Sequence, residues 1–278
     1  MLEAVDLTKR YGQVQALDGF SLTVDAGEIV GLVGHNGAGK TTFIEMAASL
    51  ARPDGGRVTI GGEEPSRVRH RIGIAPQHIA LYRSVDVREH LALFGGLAGM
   101  RGAVLRTAID ELVAALRLTE FVGRRAGLLS GGQQRRTQAA CALIHRPSVL
   151  LLDEPTAGAD PETREALLDV VKQRAGEGAA IIYTTHYLPE LAELQATIAV
   201  ARRGRVIARG TSAELLASLP GEVSVTVDGR EIRASTTDPG GTLIDLLQRN
   251  DRGVTAVELR KPSLDDLYRS LAVTDAAT

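Results

Sequence analysis

Apolar and polar residues alternate near the beginning of the chain, as they do in strands with one buried face. The alternation runs through residues 2–7 and returns at residues 21–24. A third short segment, 57–60, lies between two pairs of glycines, which favour turns. These segments predict an antiparallel sheet in the first part of the chain.

Three later segments, 29–33, 148–152 and 179–183, are almost entirely apolar. Strands covered by helices on both faces have this composition, and such strands are usually parallel. Polar residues follow each segment, and ligands of open α/β sheets bind at the carboxyl ends of the strands. The pattern predicts an α/β core with a ligand site at that edge.

Helical spacing replaces strand spacing between about residues 85 and 144. Val87, Leu91 and Phe94 recur at intervals of three and four, as do Ile109 and Leu112. We therefore expect a helical subdomain inserted into the core domain.

The pattern changes again after residue 219. Alternating valines at 223–227, an Asp228-Gly229 turn and further short segments predict a ββαβα unit. Its last helix begins after Pro262, with Ser263 as N-cap and Asp266 as capping-box partner, and presents apolar Leu264, Leu267, Tyr268 and Leu271 on one face. We predict a core domain over 1–219 and a small α+β domain over 220–278.

Composition narrows the classes of function. The formal net charge of −2 argues against direct nucleic-acid binding. The single cysteine, Cys141, lies in an apolar helical stretch and is predicted to be a core residue, which fits a reducing compartment. The start of the chain does not resemble a signal peptide, and no apolar run is long enough to cross a bilayer. Any role at a membrane is therefore expected to depend on a partner.

Residues 34–42 carry the P-loop pattern G-x-x-x-x-G-K-[ST]. Glycines let backbone N–H groups surround phosphate oxygens, and the following helix adds the positive end of its dipole. Lys40 is expected to reach the β- and γ-phosphates, and the Thr41 hydroxyl to bind Mg²⁺. The residues predicted to hold ATP are Gly34, Asn36, Gly37, Ala38, Gly39, Lys40, Thr41 and Thr42.

The strand at 149–152 ends in Asp153 and Glu154. Alone, two acids at a strand end are equally typical of a solvated terminus. Beside a P-loop they fit the Walker-B arrangement, in which Asp153 holds the magnesium shell and Glu154 polarises the attacking water.

Ser130, Gly131, Gly132 and Gln133 precede a helix that Ser130 can cap. Such a capped N-terminus is a second anion site, although one nucleotide has a single triphosphate. An isolated S-G-G favours an ordinary helix cap. With a P-loop present, we expect this turn to complete the site of a second copy in a two-fold dimer.

With these motifs in this order, residues 2–217 resemble an ABC transporter nucleotide-binding domain. The resemblance implies a P-loop NTPase fold with the antiparallel and helical subdomains described above. It also implies that Tyr11 stacks on adenine, that Gln77 senses Mg²⁺ and the water, that His186 contacts the γ-phosphate, and that Asp160 communicates across the dimer. Ala157 and Ala159 replace the usual serine and leucine near Asp160, so weaker contacts are expected there. The intact motifs, including catalytic Lys40, Gln77, Glu154 and His186, imply an active ATPase.

The segments 85–100 and 261–268 are similar to those of drug-resistance-type exporter ATPases. This similarity implies an ATPase subunit on the inner face of the membrane, paired with a second ATPase subunit and a separate permease. An importer ATPase and a soluble ABC ATPase without a transport role are the alternatives. The transported substrate, and whether the dimer pairs identical copies, do not follow from the sequence.

Overall fold

The computed structural model describes residues 1–217, 219–250, 253–263 and 266–267. Contacts within the chain separate it into two units, Met1–Arg209 and Gly210–Thr278. The division lies ten residues before the predicted one, because the last strand of the larger sheet ends at Gly210. The segment between the two positions contains a short capped helix in place of a linker.

The first unit contains two sheets. Its strands are β1 (Leu2–Tyr11), β2 (Val14–Val24), β3 (Ile29–Val33), β4 (Gly55–Ile60), β5 (Ile72–Ala75), β6 (Val149–Asp153), β7 (Ala180–Thr184), β8 (Thr197–Arg202) and β9 (Arg205–Gly210). The antiparallel sheet has the order β2-β1-β4, with Leu2 opposite both Val24 and Ile60. It confirms the prediction from the alternating residues.

The second sheet of this unit has the order β5-β6-β7-β3-β8-β9. The strands from β5 to β8 are parallel. Every residue of β3, β6 and β7 is buried, which explains their continuous apolar sequences. β6 and β7 each begin and end one residue later than predicted, so that Asp153 and Thr184 are their last residues.

Helices connect these strands. They are α1 (Lys40–Ala47), α2 (Val87–Leu97), α3 (Gly102–Ala115), α4 (Gly131–Leu143), α5 (Pro161–Gly176) and α6 (Pro189–Glu193). Helices α2, α3 and α4 lie in the region predicted to be helical. Phe43 of α1 stacks on Phe20 of β2, with 4.7 Å between ring centroids, and anchors the antiparallel sheet to the core.

In the described part of the second unit, the elements are α7 (Ser212–Leu216), β10 (Gly221–Val227), β11 (Arg230–Thr236), α8 (Pro239–Arg249) and β12 (Val254–Arg260). Its sheet is antiparallel, with the order β11-β10-β12. The predicted capping box is confirmed, since Asp266 N donates to Ser263 Oγ at 3.3 Å and Ser263 N donates to Asp266 Oδ2 at 2.8 Å. Leu264, Tyr268 and Leu271 of the predicted last helix lie outside the described residues.

Membrane-spanning helices are not found in the described part of the chain, where each helix is too short or too polar to cross a bilayer.

Candidate functional site

The glycine-rich loop joins β3 to α1. Its lysine, Lys40, is the first residue of α1 and is buried, and its ammonium donates to the carbonyl oxygens of Gly34 and His35. Burial lowers the pKa of Lys40, while the charges of Asp153 and Glu154 act in the opposite direction. The amine is therefore held over the loop and beside the acidic end of β6.

Close packing requires glycine at the start of this loop. A Cβ atom on Gly34 would lie 2.5 Å from the carbonyl oxygen of Ala201. At the tip, Asn36 and Gly37 are exposed, whereas Ala38 is buried and Thr42 is partly buried. A Cβ atom on Gly37 would meet nothing within 4 Å, so the tip faces open space.

The Asp153 carboxylate is buried and accepts hydrogen bonds from two hydroxyl groups. Thr41 Oγ1 donates to Asp153 Oδ2 at 3.0 Å, and Thr184 Oγ1 donates to Asp153 Oδ1. Thr184 is a site residue that the sequence prediction omits, although it also ends a parallel strand. Mg²⁺ prefers oxygen ligands and is usually held by one or two carboxylates with substrate phosphates. The Thr41 and Asp153 oxygens fit such an ion. Among the described residues, His, Cys, Asp and Glu form no cluster of three that could hold a metal by themselves.

Glu154 is where the predicted catalytic side chains meet. Its Oε1 accepts a hydrogen bond from Gln77 Nε2 at 3.1 Å and lies 2.7 Å from His186 Nε2. Its backbone has φ 52°, which is uncommon for a residue other than glycine. The Glu154 N–H is held by the carbonyl oxygen and the Oγ1 of Thr184, at 3.2 and 3.0 Å.

Two side chains of α4 hold the segment that carries Gln77. Arg135 donates to the carbonyl oxygen of Gln77 at 2.9 Å. The Gln138 amide donates to Pro76 O at 2.5 Å and accepts from Ala80 N at 2.6 Å. The sequence analysis misses both residues. The sequence carries no clear signal for Gln138, because it directly follows the polar residues 133–137 of the same helix.

The Ser130 turn begins α4 as predicted. Ser130 and Gln133 form a capping box, in which Gln133 N donates to Ser130 Oγ at 3.3 Å and Ser130 N donates to Gln133 Oε1 at 3.0 Å. A Cβ atom on Gly131 would meet nothing within 4 Å, whereas one on Gly132 would lie 3.1 Å from Gly158 O. One side of the turn thus faces open space, and the other lies against the loop before Asp160.

Asp160 and Tyr11 occupy more peripheral positions. Asp160 caps α5 by accepting from Thr163 N at 2.9 Å, and the Thr163 hydroxyl and N–H lower the pKa of Asp160. This capping role is an addition to the sequence prediction. Tyr11 ends β1, with the Lys9 ammonium 5.5 Å from the centroid of its ring. At 46% exposure, the Tyr11 ring has a surface available for stacking.

Comparison with known sequences gives one consistent family. The sequence model described as ABC transporter matches residues 17–157. A daunorubicin resistance ATP-binding protein of Streptomyces coeruleorubidus is 37% identical over 96% of this chain and 94% of its own. A linearmycin resistance ATP-binding protein of Bacillus subtilis is also 37% identical, over 82% of this chain and 76% of its own.

Solved structures give the same result. The ATP-binding subunit of an ABC transporter superimposes with a TM-score of 0.77 at 26% identity, covering 98% of this chain and 99% of its own. A dimeric ATP-binding cassette in a post-hydrolysis state, bound to ADP and Pi, gives 0.70 at 26% identity over 76% of this chain and 98% of its own.

Proposed function

Because this chain belongs to the ABC transporter family, as an ATP-hydrolysing subunit of the exporter type, we propose that two copies close head to tail on two Mg-ATP molecules. In each site, the P-loop of one copy binds the triphosphate. The turn formed by residues 130–133 of the other copy, the Ser130 turn, completes the site. The open space around Gly37 and Gly131 supports this arrangement, since each surface can receive a ligand or a second subunit.

The convergence of Gln77 and His186 on Glu154 carries the catalytic proposal. Glu154 orients and polarises the attacking water. His186 and Gln77 fix the position of Glu154 relative to the γ-phosphate. Lys40 and the N-terminus of α1 neutralise phosphate charge. Mg²⁺, held by Thr41 and Asp153 and sensed by Gln77, would neutralise further charge on the β- and γ-phosphates. Tyr11 stacks on adenine, and Asp160 and its loop transmit closure between the copies.

Replacement of Glu154 by Gln tests the catalytic proposal. Removal of a general base typically slows a reaction by about a hundredfold or more, so Glu154→Gln is expected to bind ATP without splitting it. An ATP-dependent dimer should then accumulate and be visible by size-exclusion chromatography. Glu111→Gln, which alters an exposed glutamate paired with Arg146 at 3.2 Å, serves as the control and should behave as the parent protein. A Glu154→Gln protein that hydrolyses ATP at the parental rate would remove Glu154 from this role.

We further propose that the dimer drives a separate membrane permease that exports drug-like or other hydrophobic compounds. Two resistance proteins that match most of this chain support this proposal. The chain should enter the membrane fraction only when it is co-expressed with a polytopic permease from its gene neighbourhood, and hydrophobic drug-like compounds should then stimulate its ATPase activity. Soluble behaviour under both conditions would favour an ABC ATPase without a transport role. Substrate accumulation in place of efflux would favour an importer.

A further inference from the structure

A buried carboxylate lies behind the catalytic residues and takes no part in the proposed chemistry. Glu190, on the short helix α6, is only 1% exposed. A buried carboxylate is costly unless it is paired and hydrogen-bonded. Two hydroxyl groups supply the hydrogen bonds: Thr156 Oγ1 donates to Glu190 Oε1 at 2.7 Å, and the Tyr183 hydroxyl donates to Oε2 at 3.1 Å. Arg164 supplies the opposite charge, with its Nε 3.1 Å from Oε1 in an ion pair that is not a hydrogen bond. We call these four residues the Glu190 cluster.

Each member of the Glu190 cluster belongs to a segment that carries a site residue. Thr156 follows Glu154 by two residues, and Tyr183 precedes His186 by three on β7. Arg164 lies in the first turn of α5, where its N–H donates to the carbonyl oxygen of Asp160 at 3.0 Å. The cluster thus joins the segments bearing Glu154, His186 and Asp160 through one carboxylate.

A second contact extends the cluster to the residue beside His186. The Arg164 guanidinium lies over the Tyr187 ring, 4.5 Å from its centroid. Tyr187 is half exposed, so this guanidinium connects the interior carboxylate with the surface next to His186.

The backbone of Glu154 makes its position depend on its neighbours. A non-glycine residue with positive φ persists only where the surrounding structure fixes it. Thr184 holds the Glu154 N–H, and the hydrogen bond from Thr156 to Glu190 fixes the chain two residues further on. Glu190 also follows His186 by four residues and is bonded to Tyr183 before it.

We propose that Glu190 is a positioning residue, which sets the relative placement of Glu154 and His186 through Thr156, Tyr183 and Arg164. The inference rests on the proposed roles of Glu154 and His186. Burial, and then the negative charge of Glu190, raise the pKa of Tyr183 well above its ordinary value. The Tyr183 phenol therefore remains a hydrogen-bond donor to the carboxylate.

Replacement of Glu190 by Gln is the direct test, since the two side chains have nearly the same shape. The new amide is neutral, so the ion pair with Arg164 is lost, and its NH₂ group is a donor, so at least one of the Thr156 and Tyr183 hydroxyls has to reorient. Small displacements of reacting groups cost up to about a hundredfold in rate, so we expect kcat to fall by roughly tenfold or more. The affinity for ATP, measured with a fluorescent ATP analogue, should stay within about twofold, since no cluster residue lies in the glycine loop.

The same helix provides a matched control. Glu193 of α6 pairs with Lys172 at 3.2 Å, and its side chain is 45% exposed. Glu193→Gln makes the same chemical change outside the Glu190 cluster and should leave kcat at the parental value. Equal losses in Glu190→Gln and Glu193→Gln would overturn the proposal.

Thr156→Val and Tyr183→Phe each remove one donor with little change in size. Each should lower kcat by less than Glu190→Gln does. The Glu190→Gln/Thr156→Val double variant should lose less activity than the product of the two single losses, because both changes act on the same contact. If Glu190→Gln does not fold, the single variants Thr156→Val and Tyr183→Phe test the proposal in its place. Parental kcat in both of them would overturn it. A folded Glu190→Gln protein with kcat within about twofold of the parent, or with a loss confined to ATP affinity, would also overturn it.

Comparison with Glu154→Gln separates this inference from the proposed function. An inactive Glu154→Gln protein beside a fully active Glu190→Gln protein would reject only the positioning role. A fully active Glu154→Gln protein would reject the proposed chemistry itself.

Discussion

At the scale of single residues, the motifs predict which side chains act in the site, but they do not predict the backbone conformation that places them. The motif assigns an acid to position 154, whereas φ 52° at Glu154 appears only in the folded chain. The left-handed conformation costs a non-glycine residue roughly 1–2 kcal/mol. Contacts with Thr184, from a strand distant in sequence, stabilise it.

Gly39 allows a residue-scale prediction. Its φ is 99°, and a Cβ atom there would lie 2.7 Å from the carbonyl oxygen of Ala16. Gly39→Ala should therefore lower the free energy of unfolding by more than about 2 kcal/mol, and it should abolish ATP binding. Denaturant unfolding and binding of a fluorescent ATP analogue measure the two effects.

Gly178 is the matched control for Gly39. It also has φ 99°, but a Cβ atom on it would meet nothing within 4 Å. Gly178→Ala should lose about 1–2 kcal/mol of stability and keep its affinity for ATP. Equal loss of ATP affinity in both variants would show that the close contact at Gly39 is unimportant.

Cys141 gives a prediction about reactivity. The structure confirms it as a core residue, and burial raises the pKa of its thiol. Because the thiolate is the reactive form, an aromatic disulfide reagent should not modify the native protein at pH 8. One thiol should react after unfolding in denaturant. Rapid modification of the native protein would contradict its burial.

The sequence predicts the site residues that belong to motifs and misses those that do not. Thr41, Asp153, Gln77, Glu154 and His186 come together because their motifs end or follow adjacent parallel strands or begin α1. Arg135, Gln138 and Glu190 are absent from the prediction because they act on backbone or on other side chains and belong to no motif. Only long-range folding brings them into contact.

At the scale of elements, the same capping motif occurs at a structural helix terminus and at one with a proposed function. Asp86 caps α2 with Glu89, and Ser130 caps α4 with Gln133, each through a complete capping box. The Ser130 cap agrees with the sequence prediction, whereas the Asp86 cap is found only in the structure. Strands β8 and β9 are not predicted, because no motif follows their short segments.

Ser130→Ala tests whether the turn before α4 serves the second copy. Loss of an N-cap hydroxyl should cost about 1 kcal/mol of stability, and Asp86→Ala should cost a similar amount. In a Glu154→Gln background, only Ser130→Ala should prevent the ATP-dependent dimer, as measured by size-exclusion chromatography. Loss of the dimer in both variants would point to a general effect of helix stability.

At the scale of the whole molecule, all proposed site residues lie between positions 11 and 190, within the first unit. The second unit has its own sheet and buried valines at 223 and 225. Its sequence of two strands, a helix and a third strand was predictable from the ββαβα pattern. The position of the division was not, because the end of β9 is set by pairing within the larger sheet.

Deletion of residues 220–278 tests the proposed independence of the core domain. The remaining chain should fold, bind ATP and hydrolyse it at a rate within a few-fold of the parent, because it keeps both sheets of the first unit and every proposed site residue. Circular dichroism and a phosphate-release assay measure these properties. A folded but inactive 1–219 protein would assign the second unit a part in catalysis.

The contacts of one carboxylate oxygen, Oε1 of Glu154, connect the catalytic site with helix α4. Gln77 Nε2 and His186 Nε2 both lie within hydrogen-bond distance of Glu154 Oε1, so these two side chains set the direction of the carboxylate. Gln77 is itself secured to α4 through its backbone. The direction of the Glu154 carboxylate is therefore coupled, through Gln77, to the position of α4, the helix that also begins with the Ser130 turn.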